Sequence, residues 1–202
     1  MNGAGAAAAG VAGLVRSIVL RSGAAATLRA IRPDDRERLR AAFAALEPES
    51  VYLRYFSYKR ELTEADLDRL CRPDFRHRVV LVVTLGADIP GAVIVGAGGY
   101  VVDDARPQPR RAEAAFAVEE DFQGQGISGR LLEALAEVAR ADAIGILDAD
   151  VLARNVAMLR VFERSRLPMR MLPVEDGVLH VELALPPAAG AAPPTSAPAA
   201  SR

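Results

Sequence analysis

The stretch Val118-Glu119-Glu120-Asp121-Phe122-Gln123-Gly124-Gln125-Gly126-Ile127-Ser128-Gly129 constrains this chain more than any other. Before it, Arg111–Val118 reads as a strand. After it, Gly126–Asp142 reads as a helix with Leu131, Leu132, Leu135, Val138 and Ala139 on one face. The first amides of a helix have no partner within it and stand at the positive end of its dipole. Glycines at such a place let an anion approach the backbone without meeting Cβ atoms. The pattern predicts a phosphate cradle formed by Gln123, Gly124, Gln125, Gly126, Ile127, Ser128 and Gly129. The bland alternative is a loop whose glycines serve only the turn.

Gly124-x-Gly126-x-x-Gly129 also fits the dinucleotide fingerprint, with Asp148 at about the expected distance beyond it. Three features oppose that reading. Five residues separate Val118 from Gly124, where the glycines should follow the strand directly. Asp148 and Asp150 lie inside a predicted strand that continues to Leu152, where the acid should close it. Only one βαβ unit is visible, and a dinucleotide fold needs several.

The rest of the chain reads as follows. A hairpin joins Ser17–Leu20 to Ala26–Ile31 through Ser22-Gly23. Three helical stretches start near Pro33, Pro48 and Thr63, the last with Asp66 at the capping-box position. Strands over His77–Leu85 and Pro90–Val102 precede the polar loop Asp103–Arg110. Beyond the long helix come a strand over Ile144–Leu152, a helix over Asn155–Arg166, and a hairpin of Met169–Val174 with Val178–Leu185 around Asp176-Gly177. The order predicts an α/β (α+β mixed) fold, a mixed and mostly antiparallel sheet with helices on its faces. Gly96-Ala97-Gly98-Gly99 has no helix after it, so it marks a bulge or a close backbone approach rather than a phosphate loop.

With 202 residues, 51% apolar and 25% charged, the chain is long enough for one core without disulfide or metal. Residues 1–14, rich in Ala and Gly, are expected to be a disordered tail, residues 15–185 the domain, and 186–202 a second disordered tail. A transit peptide is the alternative at the start, because the first 33 residues contain no Asp or Glu. The single cysteine, Cys71, excludes an internal disulfide and fits a reducing, cytoplasmic setting. A net charge of −1 gives no basic field for nucleic acid, and no run approaches the roughly 18 apolar residues of a membrane span. His77 and His180 show no metal-ligand spacing, so no metal is expected.

Phe116-x-Val118 followed by Gln123-x-x-Gly126-x-Ser128 resembles the acyl-CoA signature of the GNAT superfamily of N-acetyltransferases, Arg/Gln-x-x-Gly-x-Gly/Ala, with Ser128 departing at the last place. Asn155-x-x-Met158 resembles the family's second cofactor element. The resemblance spans roughly residues 17–185. Leu28–Asp35, Tyr52-Leu53-Arg54-Tyr55-Phe56-Ser57 and Leu62-Thr63-Glu64 are similar to the bacterial protein-lysine acetyltransferase branch, whose domain is often fused to a cyclic-nucleotide or acyl-CoA synthetase-like part.

The resemblance implies acetyl-CoA as cosubstrate and direct transfer to a primary amine in a ternary complex. It also implies that the strand amides at Phe116 and Val118 bind the acyl carbonyl and the pantetheine arm, and that Glu113 is the general base. A lysine-like amine costs roughly 4–5 kcal/mol to hold neutral at pH 7, which is what a positioned base offsets. The rival for Glu113 is simple pairing with Arg110 or Arg111. Glu119, Glu120 and Asp121 are secondary candidates for the base and otherwise read as a solvated loop or a funnel for a cationic acceptor. Many relatives carry a tyrosine seven positions after the asparagine to protonate the departing thiolate; here Phe162 stands there. Arg130, Arg160 and Arg164 are candidates for the 3′-phosphate. Tyr52, Tyr55 and Phe56 either line an acceptor pocket or pack in the core. A protein lysine, a small amine, or acyl-CoA sensing without turnover all stay open, as does monomer or homodimer.

Overall fold

The computed structural model describes residues 3–55, 57–105 and 108–186. Eight strands form one sheet in the order β1-β2-β3-β4-β5-β6-β8-β7. They are β1 Val15–Val19, β2 Ala25–Ala30, β3 Arg78–Leu85, β4 Ile94–Asp103, β5 Arg111–Val118, β6 Ile146–Leu152, β7 Met169–Glu175 and β8 Val178–Ala184. Every neighbouring pair is antiparallel except β5 with β6.

β3 explains how the sheet is covered. Its sequence RVVLVVTL is apolar at successive positions, the signature of a strand buried on both faces. Val79, Leu81 and Val83 enter a core shared with Leu131, Leu132 and Leu135 of helix α5, Ile127–Ala141. Val80 and Val82 enter a second core with Leu39 and Phe43 of α2, Arg36–Ala45, and Leu67 and Cys71 of α4, Glu64–Cys71. Helix α3, Pro48–Tyr55, packs over β5 on this second face. The α4 cap is complete: Thr63 Oγ1 accepts from the Asp66 amide at 3.2 Å, and Asp66 Oδ2 accepts from the Thr63 amide at 2.9 Å.

The β4 glycines are close approaches. A Cβ at Gly96 would stand 2.7 Å from Ile127, one at Gly98 2.9 Å from the Phe116 ring, and one at Gly99 2.4 Å from the Val79 carbonyl oxygen. A register shift opposite Gly96, between Val83 and Thr84, supplies the bulge as well. Beneath the β2 end lies a buried ion network. Arg29 gives two hydrogen bonds to Asp35, at 2.7 and 2.8 Å, and a third to Asp88 at 2.8 Å; Arg29 and Asp35 are both 0% exposed.

Two expectations about the chain ends need correction or fall outside view. Gly3–Ala12 is a helix, α1, where a disordered tail was expected. Its alanines favour helix intrinsically, and Val11 and Leu14 pack onto the α5 core. The tail expected over 186–202 lies outside the described residues from 187 on, as do Phe56 and Pro107. β4 starts at Ile94, because Pro90 and Gly91 belong to the turn before it. No helix among the described residues is long and apolar enough to cross a membrane.

Candidate active site

β5 and β6 run together for three residues only: Arg111, Ala112 and Glu113 pair with Ile146, Leu147 and Asp148. Beyond Glu113 the strands part. On its other side β5 stays paired with β4 throughout, and the Glu119 amide still donates to Val95 at 3.1 Å. Amides along a strand alternate sides. With Glu119 bonded toward β4, residues 118, 116 and 114 turn their N–H and C=O groups into the gap left by β6. The gap therefore presents the backbone of Phe116 and Val118. Gln123 Nε2 donates to the Val118 carbonyl at 3.2 Å and to Ser50 Oγ at 3.3 Å, tying the end of β5 to α3.

The gap opens into a cleft of about 940 Å³ that reaches the start of α5. Gly124 and Gly126 hold positive φ, +71° and +90°, which only glycine adopts without strain. Gly126 is the N-cap of α5, so the bare amides of its first turn face outward; Gly129 is open on the cleft side, with nothing within 4 Å of an added Cβ. The turn between β1 and β2 steadies the cradle: Arg21 Nη1 donates to the Gly124 carbonyl at 2.9 Å, and the Ser22 amide donates to Gln125 Oε1 at 2.8 Å. Arg21, Arg130, Arg160 and Arg164 line the same cleft. Asn155 is there too, but its side-chain oxygen is used as the N-cap of α6, Val156–Arg164, accepting from Met158 at 3.1 Å. A polyanion with a long amide-bearing arm fits this donor set.

Side chains of β5 alternate across the sheet. Ala112, Ala114, Phe116 and Val118 face the α5 core. Glu113, Ala115, Ala117 and Glu119 line a second, smaller cavity of about 190 Å³ under α2, α3 and α4. Leu39, Phe43, Tyr55 and Leu62 give it apolar walls, with Phe43 and Tyr55 edge to face at 5.8 Å. Tyr55 thus serves the cavity, whereas Tyr52 stacks on Tyr58 and under Arg154. Glu113 is exposed, and the rival pairing is not made: Arg110 binds Asp142 at 2.6 Å, and Arg111 binds Asp148 at 2.5 Å and also Glu182. Burial, then the charges of Asp121 and Glu120, push the Glu119 carboxyl up from its ordinary range. Of the readings open for Glu119 from sequence, the solvated loop does not fit its place on the wall of this cavity. The signal for that place was the two-residue spacing from Glu113 through Ala115 and Ala117.

Three other groups are structural. Cys71 is buried, and burial pushes its thiol up to about 11, far from nucleophilic. Phe162 is 1% exposed and packs edge to face on Phe116 at 6.3 Å. Asp148, His180 and Glu182 bring ligand atoms within 4.8 Å of one another, yet the Arg111 guanidinium already bridges the two carboxylates.

A mostly antiparallel sheet whose one parallel pair parts above a glycine-led helix start is the architecture of the N-acetyltransferase fold class. The chain belongs to the Acetyltransferase (GNAT) family, whose profile matches residues 40–166. It is 31% identical over 175 residues to Acetyltransferase Pat of Mycolicibacterium smegmatis, covering 84% of this chain and 49% of that protein. The chain thus spans about half the length of that relative. The GNAT domain of S. lividans PAT superposes with a TM-score of 0.75 at 32% identity, covering 85% of this chain and 97% of that one. The structure of yncA from Salmonella typhimurium with its cofactor acetyl-CoA shares the fold, with a TM-score of 0.61 at 19% identity over 85% of this chain and 99% of that one.

Proposed function

We propose that this protein transfers an acetyl group from acetyl-CoA to a primary amine, with a protein lysine as acceptor. The observation that carries the reading is the parting of β5 from β6 after Glu113. It leaves strand amides free at one end and bare helix amides at the other, the two donor sets that a pantetheine arm and its diphosphate need. The diphosphate would rest on residues 124–129 and the arm along Phe116 and Val118. The acceptor would enter from the opposite face, through the cavity that Glu113 and Glu119 line. Glu113, with no arginine partner among the described residues, would take the proton as nitrogen attacks the thioester carbon. Similarity to Pat of M. smegmatis and to S. lividans PAT supports the transfer chemistry; protein lysine rests on the resemblance to the lysine-acetylating branch. The single cysteine supports a cytoplasmic setting.

A cavity of about 190 Å³ with aromatic walls and two carboxylates suits a lysyl side chain, and it suits a free small amine as well. The test is a thiol-release assay with acetyl-CoA against a panel of proteins, peptides, polyamines and amino acids. Turnover on lysine-containing proteins alone supports the reading. Preference for a small amine reassigns the acceptor. Tight CoA binding without turnover on any acceptor refutes transfer and leaves a sensor.

A further inference from the structure

The cofactor cleft and the acceptor cavity share three lining residues: Ala115, Ala117 and Arg54. A group passing from one space to the other crosses there. The two alanines bring no polar atom. Arg54, in the last turn of α3, brings the one polar side chain among the described residues that line both spaces. Glu113 and Glu119 stand two residues to either side along β5, each about 7 Å away at strand spacing, on the cavity face.

Arg54 is partly buried and lies 4.7 Å over the Tyr55 ring. Among the described residues it has no carboxylate partner, and Glu49 of the same helix is taken by Arg154 at 3.3 Å. A buried-edge guanidinium without an anion, held at a crossing between two spaces, is placed for an anion that arrives with the reaction. One such anion is required. When nitrogen adds to the carbonyl carbon, the C–N bond forms, the C–S bond breaks, and the electron pair leaves on sulfur. The nitrogen proton goes to a carboxylate, and nothing in that step discharges the sulfur. Phe162, packed on Phe116, has no proton to give.

We infer that Arg54 stabilises the departing coenzyme A thiolate by hydrogen bonds from its guanidinium, without giving up a proton. The inference rests on the acetyl-transfer reading above. Glu113 of β5, Glu119 just past its end and Arg78 of β3 line the cavity, and Asp150 of β6 lines the cleft together with Arg21, Arg130, Arg160 and Arg164 and, along α5, Glu133, Glu137 and Arg140. Asp150 is engaged by His180 Nδ1 at 2.6 Å. Glu113 and Glu119 would by themselves hold a thiol protonated, whereas Arg21, Arg130, Arg160 and Arg164 also bring positive charge to the cleft, so it is the difference between wild type and Arg54→Gln that isolates this one cation.

The experiment titrates protein-bound CoA by the ultraviolet absorbance of its thiolate, in the wild type, Arg54→Gln and Arg54→Lys, with CoA affinity measured on each by calorimetry. In the wild type the bound thiol should ionise below free CoA. Arg54→Gln should raise its apparent pKa by about 1 unit or more, the effect of losing one nearby opposite charge. Arg54→Lys should keep most of the lowering, and turnover should follow the same order. A wild-type thiol no more acidic than free CoA overturns the inference, with no variant needed. So does an Arg54→Gln titration equal to wild type, or a lysine variant that behaves as glutamine. Loss of CoA binding in Arg54→Gln also overturns it, making the residue a cofactor holder. If wild type binds no CoA at all, the acetyl-transfer reading falls as well, which separates the two failures.

Discussion

Three glycine-to-alanine substitutions separate what the α5 turn needs for its own fold from what it needs for a phosphate. Gly126 sits at φ +90°, and the nearest atom to an added Cβ is Arg21 Nε at 3.9 Å. Alanine there meets no clash; its cost is the left-handed backbone, about 1–2 kcal/mol. Gly177, in the turn between β7 and β8, sits at φ +78° with nothing within 4 Å of a Cβ, and is remote from the cleft. It should cost the same. Gly129 is helical with open space around it, so alanine there should gain up to about 1 kcal/mol. At roughly 2–4 °C per kcal/mol for a domain of this size, Gly126→Ala and Gly177→Ala should each melt roughly 2–8 °C lower, and Gly129→Ala a few degrees higher. CoA affinity should divide the first two. Shifting the Gly126 backbone moves the amides meant for phosphate, and one lost charged hydrogen bond, about 1.5–3 kcal/mol, is roughly 10- to 100-fold in affinity. Calorimetry with CoA on all three variants, beside thermal melts, gives the answer. Equal melting losses at 126 and 177 with wild-type CoA affinity in both would refute the cradle while leaving the fold intact.

Three further outcomes are expected. Glu113→Gln should leave CoA affinity near wild type and lower kcat by about 100-fold or more, and an unchanged rate at neutral pH removes Glu113 as the base. Asp35→Ala strips two hydrogen bonds from fully buried Arg29 and should destabilise by about 3–5 kcal/mol, seen as a melting midpoint roughly 10 °C lower; a shift under roughly 2 °C refutes the buried pair as a structural anchor. Hydrogen bonds from Lys59 and Thr63 hold the Asp66 carboxyl at about 2, below its ordinary 3.8. Because the folded value is depressed, its contribution is complete above about pH 4 and is lost as pH falls from 3.8 toward about 2. An acid-unfolding curve should therefore shift to higher pH in Lys59→Met, and coincident curves refute the assignment.

Local patterns carried most of the fold. The apolar run of β3, the two-residue alternation of β5 and the glycine-led start of α5 each act over a few residues, so each was legible. The α1 helix was not, because Ala and Gly in one stretch argue both ways; alanine propensity and the contacts of Val11 and Leu14 decide it. The glycine turn was readable for the same local reason, whereas Glu113 was singled out through the family resemblance, and the structure shows it on the wall of the smaller cavity. Asn155 was half readable: its place in the cleft was expected, but the cap that occupies its oxygen depends on where α6 begins.

The crossing between the two spaces is the part no local pattern encodes. It is made by β5, which contributes Ala115 and Ala117, and by Arg54 some sixty residues earlier in the chain. On the proposed reading small side chains on β5 are needed there, because a larger one at either position would close the passage that an acyl group would share with an amine. A sheet residue cannot then also supply the charge, so the cation has to reach in from another element. Helix α3 lies across β5 on the face away from α5, and Arg54 stands in its last turn. On the proposed reading the roles divide by element: Glu113 on the strand would receive the proton, and Arg54 from the helix above would meet the leaving charge. Arg54 read in sequence as one of many arginines in a chain with a single lysine. Its distinction is positional, a cation with no carboxylate partner among the described residues, at the place where the proposed transfer would leave negative charge.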